Sequence, residues 1–315
     1  ILRWTSFTLC STGGFVSMGD PTPMRKFLAR PVARITLGLL GLIAIATIIG
    51  PEVLPASYAE PSPLSFAPPS VSHPFGTDLN GRDVLYRVLL GGRISLLVGL
   101  CGALVSLGIG TTYGLIAGYA GGRVDEIMMR VVDVFYSVPR LIFILICINA
   151  FNAQLQHLAA AWGWDWLISS SRIAILIISL GVIEWLTLAR IVRGQTLSLK
   201  NRAFVTAAKG LGQSHPVILF RHILPNLSGV ILIYLTLTIP AVIIDESFLS
   251  FLGLGVQAPE ASWGSLLADG AGALNPVRIR WWLVVYPAAA MALTLLALNF
   301  LGDALRDALD PKRSS

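Results

Sequence analysis

The sequence predicts an all-α polytopic membrane protein with about six transmembrane helices. Three observations lead there. Only 13% of the 315 residues are charged, 55% are hydrophobic, and the mean hydropathy is +0.73. A soluble domain carries about 25% charged residues, and so few charges could not cover the surface of a chain this long. Apolar runs near the length a helix needs to cross a bilayer core recur along the chain. Lys and Arg collect in alternate loops, as they do where one side of a membrane is favoured.

The first apolar run is 35–51, "ITLGLLGLIAIATIIGP", behind "RKFLAR". It is long for a signal-peptide core and further spans follow, so an uncleaved anchor is expected. The second, 94–122, is free of charge and rich in glycine. The third starts at Leu141 after "SVPR". The fourth, 173–192, carries one carboxylate, Glu184. The fifth, 224–244, holds Pro240, and the sixth, 281–302, is again uncharged.

These runs divide the chain into five parts: an N-terminal cytoplasmic segment 1–30 expected to be disordered, a first transmembrane helix 31–52, an extracytoplasmic loop and surface helix 53–93, a core transmembrane domain 94–302 with a cytoplasmic loop 193–222, and a cytoplasmic tail 303–315. Residues 1–24 are polar and aperiodic, so disorder is expected there, with the native start at Met18 or Met24. With the N-terminus cytoplasmic, inner segments hold 17 Lys and Arg and outer segments 6. Both termini are therefore expected inside.

On the outer side, residues 51–80 are rich in Pro and Ser and read as an extended loop. "GRDVLYRVLLGGR" places Val84, Leu85, Val88 and Leu89 on one helical face and spaces Asp83 and Arg87 as an i,i+4 pair. It predicts a short helix lying on the membrane surface before the second span. Trp162, Trp164 and Trp166 suit an interfacial anchor or plain packing. In the tail, Arg306 and Asp310 are spaced for a local pair.

Several function classes drop out. Cys10, Cys101 and Cys147 have no metal or redox spacing. The net charge of +6 is explained by loops of a membrane protein rather than by nucleic acid. No G-x-x-x-x-G-K-[ST] loop, H-E-x-x-H or G-x-S-x-G is present. The four histidines lie in separate segments. No cofactor or metal is expected on this chain, and no catalytic group. The intramembrane acids are Glu184, Asp245 and Glu246, each a path or gate candidate or a charge reaching for the interface.

One loop stands out, 197–222, "LSLKNRAFVTAAKGLGQSHPVILFRH". Residues 197–209 are good helix formers, and Gly210 and Gly212 supply a stop. Ser214 offers an N-cap with Pro216 in the next turn. Two short helices meeting at a glycine corner are expected. Ala203, Ala207 and Ala208 are small, while Phe204, Val205 and Leu211 are apolar. Such a surface either meets another protein or folds back onto the membrane domain.

"TAAKGLG" followed by "RHILPN" resembles the EAA loop of ATP-binding cassette importer permeases, with Thr206, Ala207, Ala208 and Gly212 at the motif positions. Thr206 stands where the family usually has an acid. "HPFGTDLNGRDVLYRVLLGGRISLLVG", "GGRVDEIMMRVVDVFYSVP", "ARIVRGQTLSLKNRAFV", "ESFLSFLGLG", "SWGSLLADG" and "NFLGDALRDALDP" are similar to the second, C-type permease of dipeptide, oligopeptide and nickel importers. The likeness covers about 73–311. It implies the type I importer fold, a homologous second permease, two cytoplasmic ATPase subunits holding ATP and Mg, and an extracytoplasmic substrate-binding protein. The implied residence is the bacterial inner membrane. The resemblance assigns Thr206, Ala207, Ala208, Lys209, Gly210, Leu211 and Gly212 to coupling with an ATPase. It assigns Arg190, Arg193, Lys200, Arg202, His222, Pro225 and Asn226 to orienting the loop. Glu184 and Glu246 remain path or gate candidates.

An ion-coupled secondary transporter is the alternative; it predicts repeated halves, and no internal repeat is seen. A membrane enzyme would need clustered polar groups at one depth, and none is found. The resemblance leaves the solute open among peptides, nickel chelates and related compounds.

Overall fold

The computed structural model describes residues 27–28, 30–55, 58–257, 260–275 and 278–309. Cys10, Met18, Met24 and Asp310 lie outside them, as do most of the segment 1–30 and the end of the tail. From Pro31 on, the described residues form nine helices: α1 (Pro31–Val53), α2 (Val84–Ala120), α3 (Gly122–Ser137), α4 (Arg140–Ala161), α5 (Asp165–Leu199), α6 (Ala203–Gly210), α7 (His215–Phe251), α8 (Trp263–Gly272) and α9 (Trp282–Leu309). Among the described residues there is no strand, only two isolated bridges. Among the described residues six helices, α1, α2, α4, α5, α7 and α9, are long and apolar enough to cross a membrane. The chain is an all-α polytopic protein. In hydrocarbon every backbone group needs an internal partner, which a helix supplies within its own segment.

The most extensive contact joins α2 to α5, and glycine makes it close. A Cβ on Gly110, Gly114 or Gly118 would stand 2.8, 2.5 and 2.7 Å from the carbonyl oxygens of Trp185, Ala189 and Arg193. The glycines and the carbonyls each recur every four residues, so one stripe on α2 faces one stripe on α5. Small residues at such an interface let helices associate through van der Waals contact where lipid offers no hydrophobic drive. The remaining helices arrange around this pair. α4 packs on α5, α7 on α2 and α5, and α1 and α9 on each other and on α2.

Several expectations are corrected. The predicted surface helix before the second span is the first part of α2, a single helix of 37 residues. Gly91 and Gly92 do not break it, because their bare backbones receive Ser262, Leu266 and Trp263. Asp83 and Arg87 do not pair. The Asp83 carboxylate caps α2, accepting from the Leu85 and Tyr86 amides at 2.7 and 3.2 Å, and meets His73 Nδ1 at 3.0 Å. Arg87 reaches Asp78 and Asp269. The stretch 122–137, read only as part of a motif, is a helix of its own. It ends at the extended residues Val138 and Pro139. The helix expected over 197–209 breaks between Leu199 and Ala203. Phe27 is buried with Ala33 and Ala304, and Arg30 pairs with Asp307 at 2.7 Å, so part of the segment expected to be disordered is docked.

Away from α6 the bundle is closed by a cap, residues 58–83, and by α8. Phe75 stacks on Tyr286 with ring centroids 3.9 Å apart. Trp263 donates from Nε1 to the Val88 carbonyl at 3.0 Å. α8 sits so tightly on α7 that a Cβ at Gly264 would lie 2.4 Å from the Cα of Ser247. Overpacking of this kind costs typically about 1–3 kcal/mol. Gly264→Val is therefore expected to lower the melting temperature of the detergent-solubilised protein. Gly194→Ala, whose Cβ meets nothing within 4 Å, is expected to leave it unchanged or raise it.

Candidate coupling loop and intramembrane charges

α6 is held by one face and bare on the other. Val205 and Ala208 are buried with Leu115, Leu188, Val192, Ile218, Ile223 and Leu227. Ala203, Phe204, Thr206, Ala207, Lys209 and Leu211 are exposed, with Leu211 at 80%. The reading in which the loop folds back onto the membrane domain describes one of its faces. It folds back onto its own domain through Val205 and Ala208, while Phe204, Ala207 and Leu211 form an uncovered stripe at i, i+3 and i+7. Ala208, which the resemblance assigns to coupling, points inward.

The break before α6 follows from that burial. A straight continuation of α5 could not turn Val205 and Ala208 onto the core. Lys200 closes α5, its Nζ donating to the Gly118 carbonyl at 3.0 Å, and the extended Arg202 starts α6. At the other end the Leu211 amide donates to Ala207, and the Gln213 amide to Ala208 at 3.2 Å. Gly212 takes φ +73° between them. Glycine reaches that region without a Cβ clash. Gly210 needs no such conformation. Ser214 precedes α7 but caps it with no side-chain bond.

α7 begins irregularly. Residues 218–223 form a π-helical turn, and the Leu224 amide donates to Leu219. Pro225 has no N–H for the Arg221 carbonyl, and its ring crowds that carbonyl; widening the helix relieves both problems. His222 Nε2 meets Gln213 Oε1 at 2.6 Å, and Asn226 donates to the His222 carbonyl at 2.7 Å. His215 Nδ1 meets the Tyr119 hydroxyl at 2.9 Å, and Lys209 Nζ lies 5.3 Å from that ring. Gly210, Gly212, Lys200, Arg202, His222, Pro225 and Asn226 therefore all shape or border the corner.

Arg190 and Arg193 do not reach it. Arg193 forks onto Asp125 at 2.5 and 2.6 Å, and Arg190 binds Asp133 at 2.6 Å and covers Tyr136. They strap α3 to α5. The Tyr136 hydroxyl meets Thr187 at 2.9 Å, extending the seam. The available sequence signal was two acids eight residues apart in 125–133 opposite two arginines in 190–193.

At the top of that seam Arg140, the first residue of α4, contacts Glu184 on α5 at 3.0 Å and Asp245 on α7 at 2.7 Å. Glu184 lies midway along the span Ser170–Leu199. Arg140 was missed in the sequence because it sits beside a proline at the expected edge of a span. Glu246 is different. It is fully buried, and Ser95, Ser247 and Ser250 donate to its carboxylate at 3.1, 3.2 and 2.7 Å. Ser95 in turn accepts from the Trp263 amide, and Ser250 from Val256. Glu246 thus ties α2, α7 and α8 together and faces no open surface in this conformation. Among the described residues no cluster could hold a metal ion.

A family model for the "binding-protein-dependent transport system inner membrane component" matches residues 110–315, a stretch holding α3 to α9 and the whole loop. The chain belongs to this family. It is 44% identical over 291 residues to the oligopeptide transport system permease protein OppC of Haemophilus influenzae, covering 91% of this chain and 87% of that one. OppC of Escherichia coli K12 is 43% identical over 91% and 89%. The dipeptide transport system permease protein DppC of Bacillus subtilis is 41% identical over 91% and 84%. The chain is a multi-pass permease subunit of an ATP-binding cassette importer, a transport subunit rather than a catalytic one.

Removing the cation between Glu184 and Asp245 leaves two carboxylates facing each other. Arg140→Leu is expected to destabilise the solubilised protein by about 2 kcal/mol, the usual scale for a charged hydrogen bond. The double variant Arg140→Leu/Glu184→Gln is expected to recover part of that loss. Melting curves of the two variants check this.

Proposed function

We propose that this chain is one of two homologous permeases of a bacterial inner-membrane importer for short peptides, with both termini cytoplasmic. The exposed stripe Phe204, Ala207 and Leu211 is the surface that a cytoplasmic ATPase covers. Two such ATPases carry the ATP and Mg, and a substrate-binding protein delivers solute at the opposite end. The observation that carries this reading is the helix α6 itself. It is anchored by one apolar face and bare on another, in a chain whose relatives over 84–89% of their length are named oligopeptide and dipeptide permeases.

The geometry suits transmission of force. α6 shares one core with α2, α5 and the π-helical start of α7. A push on α6 therefore reaches three spanning helices through close-packed side chains, which transmit displacement because interiors are dense. α7 is about 55 Å long, 37 residues at 1.5 Å each, and carries Glu246 near the end away from the loop. There the serine network passes its motion to α8. Thr206 donates only to the Arg202 carbonyl, at 3.4 Å, so this loop meets its ATPase without the carboxylate usual in the motif. Arg140 with Glu184 and Asp245, at the junction of α4, α5 and α7, is the part of the solute path or gate on this chain.

Affinity purification through a tag after Ser315, in mild detergent, tests the assembly. A second six-helix permease and P-loop ATPases are expected in the eluate; a lone chain or a homo-oligomer in several detergents would return the ion-coupled carrier. Ala207→Glu, on the bare face, is expected to abolish peptide uptake while membrane insertion and melting temperature stay unchanged. Undiminished uptake would remove the docking role.

A further inference from the structure

A cavity of about 520 Å³ lies at the end of the bundle away from α6, between the cap, α8 and the start of α9. This is within the usual size range of small-molecule sites. Its walls include Phe66, Asp78, Arg82, Arg87, Asp269 and Arg280, three guanidinium groups against two carboxylates. Arg87 engages both carboxylates, at 2.9 Å to Asp78 and 3.1 Å to Asp269. Among the described residues, Arg82 and Arg280 then face the cavity without an acidic partner.

Two further observations fall on the same walls. The Nε of Arg82 is buried and has no acceptor, a state that buried donors generally avoid. Phe66 is the one non-glycine described residue with positive φ, at 56°, a region that costs a bulky side chain and marks ligand sites more often than other places. That conformation places its ring 3.3 Å beneath the Arg280 guanidinium. Two carbonyls near the end of α8 already have donors. Those of Gly270 and Ala271 accept from the Ala273 and Leu274 amides. Asp78 is likewise occupied, accepting from the Asn80 and Arg82 amides at 2.8 and 2.9 Å.

We propose that this cavity is a binding site for the C-terminal carboxylate of a short peptide, received by Arg82 and Arg280. A planar carboxylate matches the donor fork of a guanidinium, and the pairing is strong where water is partly excluded. The assignment rests on the peptide-importer reading, and it gives the permease a contact of its own with the solute, specific for peptides whose C-terminus is free.

The test is equilibrium dialysis of radiolabelled tri-alanine and tri-alanine amide against the intact complex, purified through the Ser315 tag without the delivery protein. The acid is expected to bind at least tenfold more tightly than the amide. Arg82→Gln and Arg280→Gln are each expected to abolish that difference. Arg93→Gln, whose partner is Glu52, is expected to preserve it. Absence of binding, equal binding of acid and amide, or a difference that survives both substitutions would overturn the site. So would variants that bind both peptides normally but fail to capture the peptide-free delivery protein, since the anion would then be a side chain of that protein. The acid–amide comparison is made on the unaltered chain, so a variant that does not fold leaves the test intact. The permease and ATPases in the same eluate report on the importer reading separately, and that reading survives a failure of this site.

Discussion

Three carbonyls of α5, those of Trp185, Ala189 and Arg193, lie where side chains on Gly110, Gly114 and Gly118 of α2 would stand. Everything else in the bundle is placed against this contact. It brings two of the longest spans to backbone distance, so the dispersion gain is spread over their whole shared length. It also fixes the end of α2 beside the corner of the loop, where Gly118 receives Lys200 and Tyr119 receives His215. A larger residue at any of the three positions would push α5 outward, and α6 would lose the floor on which Val205 and Ala208 rest.

The second organising element is α7. Its start is a widened turn forced by Pro225, and its far end holds a buried carboxylate shared among serines of two helices. The two ends differ in kind. At the loop end an apolar core is bordered by the hydrogen bonds of His215 and His222, and one face of α6 is bare, so a partner can load it. At the other end the contacts are directional hydrogen bonds around Glu246, reinforced by glycines that admit α8 to within van der Waals distance. A unit loosely finished at one end and rigidly jointed at the other suits a lever.

Three arginines pair with acids across segments distant in sequence: Arg193 with Asp125, Arg190 with Asp133, and Arg140 with Glu184 and Asp245. Uncompensated charge inside a membrane is expensive, so the partners identify one another once the helices are placed. In the sequence they are 57 to 105 residues apart, except for the 44 that separate Arg140 from Glu184, and no periodicity links them. That is why Arg190 and Arg193 read as loop residues and Arg140 was passed over.

Hydropathy and glycine spacing determined the number of spans, their approximate limits and the corner at Gly212, because lipid demands long apolar helices and a left-handed turn demands glycine. The run of motifs from 73 to 311 determined the family. Which face of α6 is buried was not legible. Val205, Ala207 and Ala208 are all small or apolar, and only the position of α5 and the π-turn decides which of them meets the core. The continuity of α2 through Gly91 and Gly92 was decided in the same way. Two glycines ordinarily weaken a helix, and here the neighbours that fill their space, Trp263 and Leu266, come from more than 160 residues away. Tertiary contact decided these points because the free energy of burial exceeds the local preference of any single residue.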